Sequence, residues 1–181
     1  KSAAVFNKEK LDWMNGLYIR SMNLDDLTVR LEDYWKEFPN QALSIPTGVS
    51  RDYLLKVVSL IQERLKLLSE AQELTEFFFL DDINLEIMEL TQKGMDADVT
   101  LFALNVTLRE LRAIDSFNVQ NLEKRLLDLN SQLELSRGQF LGMLRMALTG
   151  KKSSPPLFET MEVLGRDRCI RRLESARSSL S

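Results

Sequence analysis

The segment LRMALTGKKSSPPLFETMEVLG, Leu144 to Gly165, decides how this chain is read. A helix carrying Arg145 stops at Gly150, because glycine accepts the left-handed backbone that closes a helix. A short basic and hydroxylated loop follows, Lys151, Lys152, Ser153 and Ser154. Pro155 and Pro156 then start the next helix, where a missing N–H costs nothing. Helix, loop and helix in this order expose main-chain N–H groups beside an arginine, an arrangement suited to a polar ligand rich in acceptors.

Outward from this junction the pattern stays helical. Asn23 caps a helix with Leu27, Leu31, Tyr34 and Phe38 recurring along it, closed by Pro39. Residues 40–49, with Pro46 and Gly48, read as a loop. Ser50 caps a long amphipathic segment whose inward face is Leu54, Val57, Val58, Ile61, Leu65 and Leu68. Further helices are predicted over 69–78, 84–93, 98–113, 118–135, 138–148, 155–164 and 166–178. No sustained period-2 alternation marks a strand. The expected fold is all-α, in two parts, with a break near Phe79 to Asp82.

Composition narrows the chemistry. The chain has 181 residues, no histidine and one cysteine, Cys169. The commonest general base and the commonest metal ligand are therefore missing, so no zinc site is expected, while catalysis through carboxylates or lysines stays open without any spacing that argues for it. A lone cysteine fits a reducing compartment. No apolar run approaches the roughly 18 residues that span a bilayer, and the strongest cluster is only Phe77 to Leu80. Lys1 opens the chain with no signal-peptide pattern, so it is expected to be a piece of a longer protein. Charge is uneven: residues 1–120 hold 13 Lys/Arg against 20 Asp/Glu, and residues 121–181 hold 11 against 7. A polyanionic partner is expected at the C-terminal third.

Two motifs carry a family resemblance. Phe6 to Arg20, FNKEKLDWMNGLYIR, resembles a signature of glutamyl-tRNA synthetases in which lysine, leucine, tryptophan, asparagine-glycine and tyrosine-isoleucine-arginine follow at these spacings. Leu144 to Gly165, followed by RDRCIRRL, resembles the C-terminal end of the bacterial-type enzymes. The chain is thus similar to the anticodon-binding, C-terminal region of these class I enzymes. It departs at Gly142-Met143, where the family often has glutamine-proline, and residues 81–136 match in helical character alone.

The resemblance implies specific roles. Arg145 matches the arginine that reads the first anticodon base. Ser154, Pro155 and Leu157 match the turn that holds the middle base. Arg64 falls on the arginine that reads the third base. Lys10 matches a contact to the tRNA backbone, and Lys151 and Lys152 are expected to join it. Residues 1–80 become a stem- and anticodon-contacting subdomain, and 81–181 a C-terminal anticodon-binding subdomain. Both would form a helical cage without the catalytic Rossmann domain. The parent would be a cytoplasmic, monomeric glutamate–tRNA ligase using ATP and Mg²⁺. This piece would bind glutamate tRNA, catalyse nothing, hold no cofactor and meet the catalytic domain in cis.

The residues alone leave other readings open. Leu11, Trp13, Tyr18 and Ile19 fit a core role, since large apolar side chains are usually buried; Asn15-Gly16 fits a turn. Arg64 could pair with Glu63 on an exposed helix. Arg145 could bond helix-terminal carbonyls, and Ser154-Pro155 could be an ordinary cap. Arg166, Arg168, Arg171, Arg172 and Arg177 could line phosphates or form a solvated face with Asp167 and Glu174. The rival function is an all-helical protein-interaction module with no RNA role, favoured by the acidic first 120 residues.

Overall fold

The computed structural model describes residues 7–38 and 48–180. Lys1, Phe6, Pro39 and Pro46, named above, lie outside them. The described residues are all-α, without a strand. The helices are α1 (Lys8–Ser21), α2 (Leu24–Glu37), α3 (Arg51–Ile61), α4 (Ala71–Phe79), α5 (Ile87–Leu90), α6 (Ala97–Ala113), α7 (Val119–Gln132), α8 (Arg137–Thr149), α9 (Leu157–Leu164) and α10 (Arg166–Leu180). No helix among the described residues is long and apolar enough to cross a membrane. The chain divides into two compact units, Lys1–Phe79 and Leu80–Ser181.

In the first unit, Asn23 and Ser50 cap α2 and α3 with their side-chain oxygens. Leu27, Leu31 and Trp35 of α2 join Leu54, Val57, Val58 and Ile61 of α3 in the core. Trp35 takes the inward place expected of Phe38, which is exposed and leans on Tyr34 with ring centroids 4.8 Å apart. Helix α3 ends earlier than its amphipathic pattern implies. A 3₁₀ turn, Gln62–Arg64, tightens the chain after Ile61. Leu65 remains buried, while Leu68 enters a second 3₁₀ turn and is half-buried.

The turn after α3 anchors α1. Gln62 donates from Nε2 to the carbonyls of Ile19 at 3.0 Å and Met22 at 2.8 Å, satisfying carbonyls at the end of α1. Asn15 donates to the Lys66 carbonyl, and a Cβ on Gly16 would stand 3.4 Å from the Leu65 carbonyl oxygen. Asn15-Gly16 therefore lies inside a helix and forms a close helix-to-turn contact, correcting the expected turn. The core assignment of the signature aromatics is also corrected. Ile19 is 3% exposed, but Trp13 is 58% and Tyr18 67% exposed, with Leu11 exposed beside them. The face of α1 carrying Gly16 and Ile19 is the inward one, and helical geometry turns residues 11, 14 and 18 away from it.

In the second unit, α6 buries Thr100, Ala103, Leu104, Thr107, Leu108 and Leu111, the three-and-four spacing of a single helix face. The two threonines sit there because each hydroxyl donates one turn back, Thr100 to Asp96 at 2.7 Å and Thr107 to Ala103 at 2.8 Å. Helix α10 packs on α6, α8 and α9. Leu122, Leu126 and Leu129 of α7 are buried, and Leu133, which caps the helix, is half-buried. The helix expected over 84–93 shrinks to α5, Ile87–Leu90, with Leu90 buried.

The arginines of α10 divide between interior and surface. Arg172 is 2% exposed and donates to the carbonyls of Leu148 at 2.5 Å and Leu80 at 2.7 Å. Arg166 donates to Ile114 and Asp115 carbonyls, and its guanidinium lies 5.6 Å from the Phe117 ring centroid. Glu174 pairs with Arg112 at 2.5 Å. Two of the five arginines thus bond main chain inside the unit, a role outside both the phosphate reading and the solvated-face reading.

Two predictions follow from this packing. Arg172→Met leaves two carbonyls without their donor and should lower stability by about 2–3 kcal/mol in urea unfolding. Burial pushes the Cys169 thiol up to about 12, against a smaller opposite pull from Arg172 and Arg168. Because the folded state keeps this proton longer than the unfolded chain, the contribution is complete below the ordinary thiol range near pH 9 and is lost as pH rises toward 12. Cys169→Ala should flatten that alkaline decline, and native Cys169 should resist thiol reagents at pH 8 until the chain is unfolded.

Candidate functional site

The candidate site grows from the last turn of α8. Helix α8 begins with a capping box: Ser136 Oγ accepts from Gln139 N at 3.2 Å, and Gln139 Oε1 accepts from Ser136 N at 2.9 Å. Its apolar face, including Phe140, Met143, Leu144, Ala147 and Leu148, is buried. Arg145 lies beside that face and is half-buried.

Thr149 and Gly150 turn the chain. The Thr149 hydroxyl donates to the Arg145 carbonyl at 2.8 Å and accepts from Lys151 N at 3.1 Å. One side chain thus closes α8 and directs the loop after it. Gly150 has φ +66°. A Cβ there would come within 2.8 Å of the Asn84 carbonyl oxygen, so glycine is required both by conformation and by space.

The loop then folds back on Arg145. Arg145 donates from Nε to Ser154 Oγ at 3.1 Å, and Ser154 donates onward to the Pro155 carbonyl at 3.0 Å. Ser154 is 3% exposed, so this hydroxyl works as acceptor and donor inside the junction. Pro155 and Leu157 are buried and Pro156 is exposed. Helix α9 starts at Leu157, two residues later than the prolines suggested, with Pro156 as an N-cap that supplies no side-chain bond. Its first main-chain bond runs from Thr160 N to the Pro156 carbonyl at 2.9 Å. The N–H groups of Leu157, Phe158 and Glu159 therefore precede the intrahelical ladder, as at any helix start.

The site residues expected from sequence fall into two groups. Arg145, Ser154, Pro155, Leu157, Lys151 and Lys152 belong to the second unit, and the structure joins Arg145 and Ser154 directly. Lys151 is half-buried, with its N–H on Thr149. Lys152 is exposed and paired with Glu89 at 2.6 Å. That hydrogen bond, with the Glu89 charge, raises the lysine above its ordinary value. Arg64 and Lys10 belong to the first unit. Arg64 ends the 3₁₀ turn, is exposed, and has no ion pair among the described residues, including with Glu63. Lys10 is exposed, and its main-chain N–H bonds Asn7 Oδ1 at 3.0 Å, capping α1.

Three participants were outside the sequence reading: Thr149, Glu89 and Asn84. Threonine followed by glycine at a helix end carried a signal for the first, because a hydroxyl there reaches the preceding turn. Glu89 and Asn84 come from the distant segment before α6, and no local pattern announces them. Among the described residues no group of His, Cys, Asp and Glu is arranged to hold a metal ion. Gly150-Lys151-Lys152-Ser153 also lacks the spacing of a phosphate loop. What the junction offers is a positioned guanidinium, a hydroxyl and a helix start, groups suited to recognition.

Comparison with known proteins places these features in context. The anticodon binding domain family matches residues 26–177. A glutamate–tRNA ligase of Dehalococcoides mccartyi is 42% identical, across 100% of this chain and 37% of that protein. The glutamate–tRNA ligase of Roseiflexus castenholzii is 43% identical, across 99% of this chain and 35% of that protein. The chain thus spans about a third of the length of the curated relatives it matches. Among solved structures, a glutamate tRNA ligase from Elizabethkingia meningosepticum superposes with TM-score 0.79 at 22% identity, covering 97% of this chain and 33% of that one. That likeness establishes a shared fold.

Gly150→Ala should be expensive for a surface-loop substitution. The left-handed backbone and the approach of Asn84 together predict a loss of about 1–3 kcal/mol in thermal or urea unfolding. Gly138→Ala, inside α8 where a Cβ meets nothing nearer than 4.0 Å, is the control and should leave stability unchanged or slightly raised.

Proposed function

The chain belongs to the anticodon binding domain family, and from that premise we propose that it reads the anticodon of glutamate tRNA as the C-terminal part of a glutamate–tRNA ligase. The observation that carries this reading is the Arg145–Ser154 bond, which fixes a guanidinium beside the start of α9. The ligase names of the relatives support the choice of tRNA.

Anticodon bases are unstacked and present their Watson–Crick edges. Arg145 reads the first base. The turn of Ser154, Pro155 and Leu157 holds the middle one. With Ser154 and Leu157 buried, that turn acts through main-chain groups and through the shape the side chains give it. Arg64 reads the third base; it is exposed and has no acidic partner among the described residues, which leaves donors for RNA. A cytosine edge offers two acceptors and one donor, a guanine edge two donors and one acceptor. Arginine has donors only. Guanine opposite Arg64 would set donors against donors, at about 1–3 kcal/mol per unsatisfied group. That separates a glutamate anticodon, ending in cytosine, from a glutamine anticodon, ending in guanine.

Lys10 and Lys151 contribute to the phosphate backbone, and Lys152 does so after exchanging Glu89 for a phosphate. Residues 1–80 serve as the stem- and anticodon-contacting subdomain and 81–181 as the anticodon-binding one. The parent supplies aminoacylation: ATP and Mg²⁺ serve activation of glutamate in its catalytic part, which meets this region in cis. Within that division of labour this region binds and orients the tRNA.

Binding of the chain to glutamate anticodon stem-loops tests the reading. Affinity should fall steeply with salt, as for any phosphate-driven complex. A third-position cytosine should bind about tenfold or more tightly than guanine. Arg64→Gln should shrink that preference with little loss of overall affinity, and Arg145→Gln should weaken binding about tenfold to either loop. Equal affinity for cytosine and guanine would remove the role given to Arg64, and salt-insensitive or absent binding would overturn the RNA reading.

A further inference from the structure

A cleft of about 530 Å³ opens between the start of α6 and the end of α7, within the second unit, and neither Arg145 nor Ser154 lines it. Its apolar lining includes Val99 and Phe102 of α6 and Leu133 and Leu135 after α7. Phe102 is 59% exposed, and Val99 is exposed beside it. The volume lies within the range of roughly 300–1,000 Å³ typical of binding clefts.

The charge around this lining is acidic. Asp98 and Glu134 both line the cleft, both are exposed, and neither has an ion-pair partner among the described residues. The neighbouring Arg137 is engaged by Glu123 at 3.9 Å. Among the described residues no arginine or lysine lines the cleft. Two unpaired carboxylates repel phosphates, so this is the wrong surface for RNA. They favour a cation instead, and the apolar floor favours a large hydrophobic side chain next to it.

We propose that the Val99–Phe102–Leu133–Leu135 cleft docks a segment of another protein in which an arginine or lysine neighbours large apolar side chains. Phe102 and Val99 cover the apolar side chain, and Asp98 and Glu134 receive the cation. The occupant is a peptide segment because the cleft lies between helices and leaves Phe102 exposed, a groove that takes an apolar anchor side chain. The proposal is independent of the RNA reading.

The test uses the 181-residue chain and a fluorescein-labelled peptide alternating arginine with leucine, followed by anisotropy. A second peptide carries glutamate in place of arginine. The arginine peptide should bind, weakening as salt rises, and the glutamate peptide should not. Phe102→Ser should weaken binding about tenfold, and Glu134→Gln with Asp98→Asn should weaken it several-fold. Both are surface changes, so melting curves should stay near wild type, and anticodon stem-loop binding should be retained. Equal binding of both peptides, binding unchanged by Phe102→Ser and by the double charge variant, or no binding at millimolar peptide would overturn the proposal.

Discussion

The guanidinium of Arg172 lies in the interior of the second unit with two main-chain carbonyls as acceptors, those of Leu148 and Leu80. A buried cation is costly unless acceptors face it, here at both terminal nitrogens, and losing an acceptor leaves a charge stranded in a poor solvent. This requirement holds three things in register. Leu148 is near the end of α8, so the bond satisfies a carbonyl that the helix cannot. Leu80 opens the segment that brings Asn84 under Gly150 and Glu89 to Lys152. Arg172 itself sits on α10, whose Cys169, Leu173 and Ala176 pack into the same core.

With the end of α8 held, the junction beyond it follows from short-range chemistry. Thr149 links the Arg145 carbonyl to the Lys151 N–H, Gly150 reverses the chain where no Cβ fits, and Ser154 returns to accept from Arg145. An arginine side chain carries substantial rotamer entropy. A guanidinium already fixed by one internal bond loses less when it meets a ligand, and its planar fork is aimed in advance. The bond to Ser154 is therefore a device for preorganisation as well as a structural tie.

Helix order was legible in the sequence because caps and periodicity are local. Asn23 and Ser50 cap the helices expected of them, and Leu54, Val57, Val58 and Ile61 of α3 point inward as their spacing implies. Helix ends were less legible. The 3₁₀ turn at Gln62–Arg64 answers to Gln62 reaching α1, a contact across more than 40 positions. The aromatic residues of α1 misled for a related reason: residue type favours burial, but one helix face only is covered within the described residues. Within the candidate site, Arg145 and Ser154 were legible as neighbours across one loop. The partners Asn84, Glu89 and Leu80 were not, since each arrives from a distant segment. Arg172 looked like one more charge on a basic helix, and only its packing reveals a structural cation.

The central claim is that Arg145, fixed by Ser154, meets an anticodon base. The most direct measurement is the ¹⁵N-detected NMR signal of the Arg145 Nε–H during titration with a glutamate anticodon stem-loop, assigned by comparison with Arg145→Lys. The signal should already be slowed in exchange before RNA is added, because Ser154 accepts from it, and should then shift in a saturable manner with the binding curve. A signal that stays fixed while other resonances follow RNA binding would contradict the account.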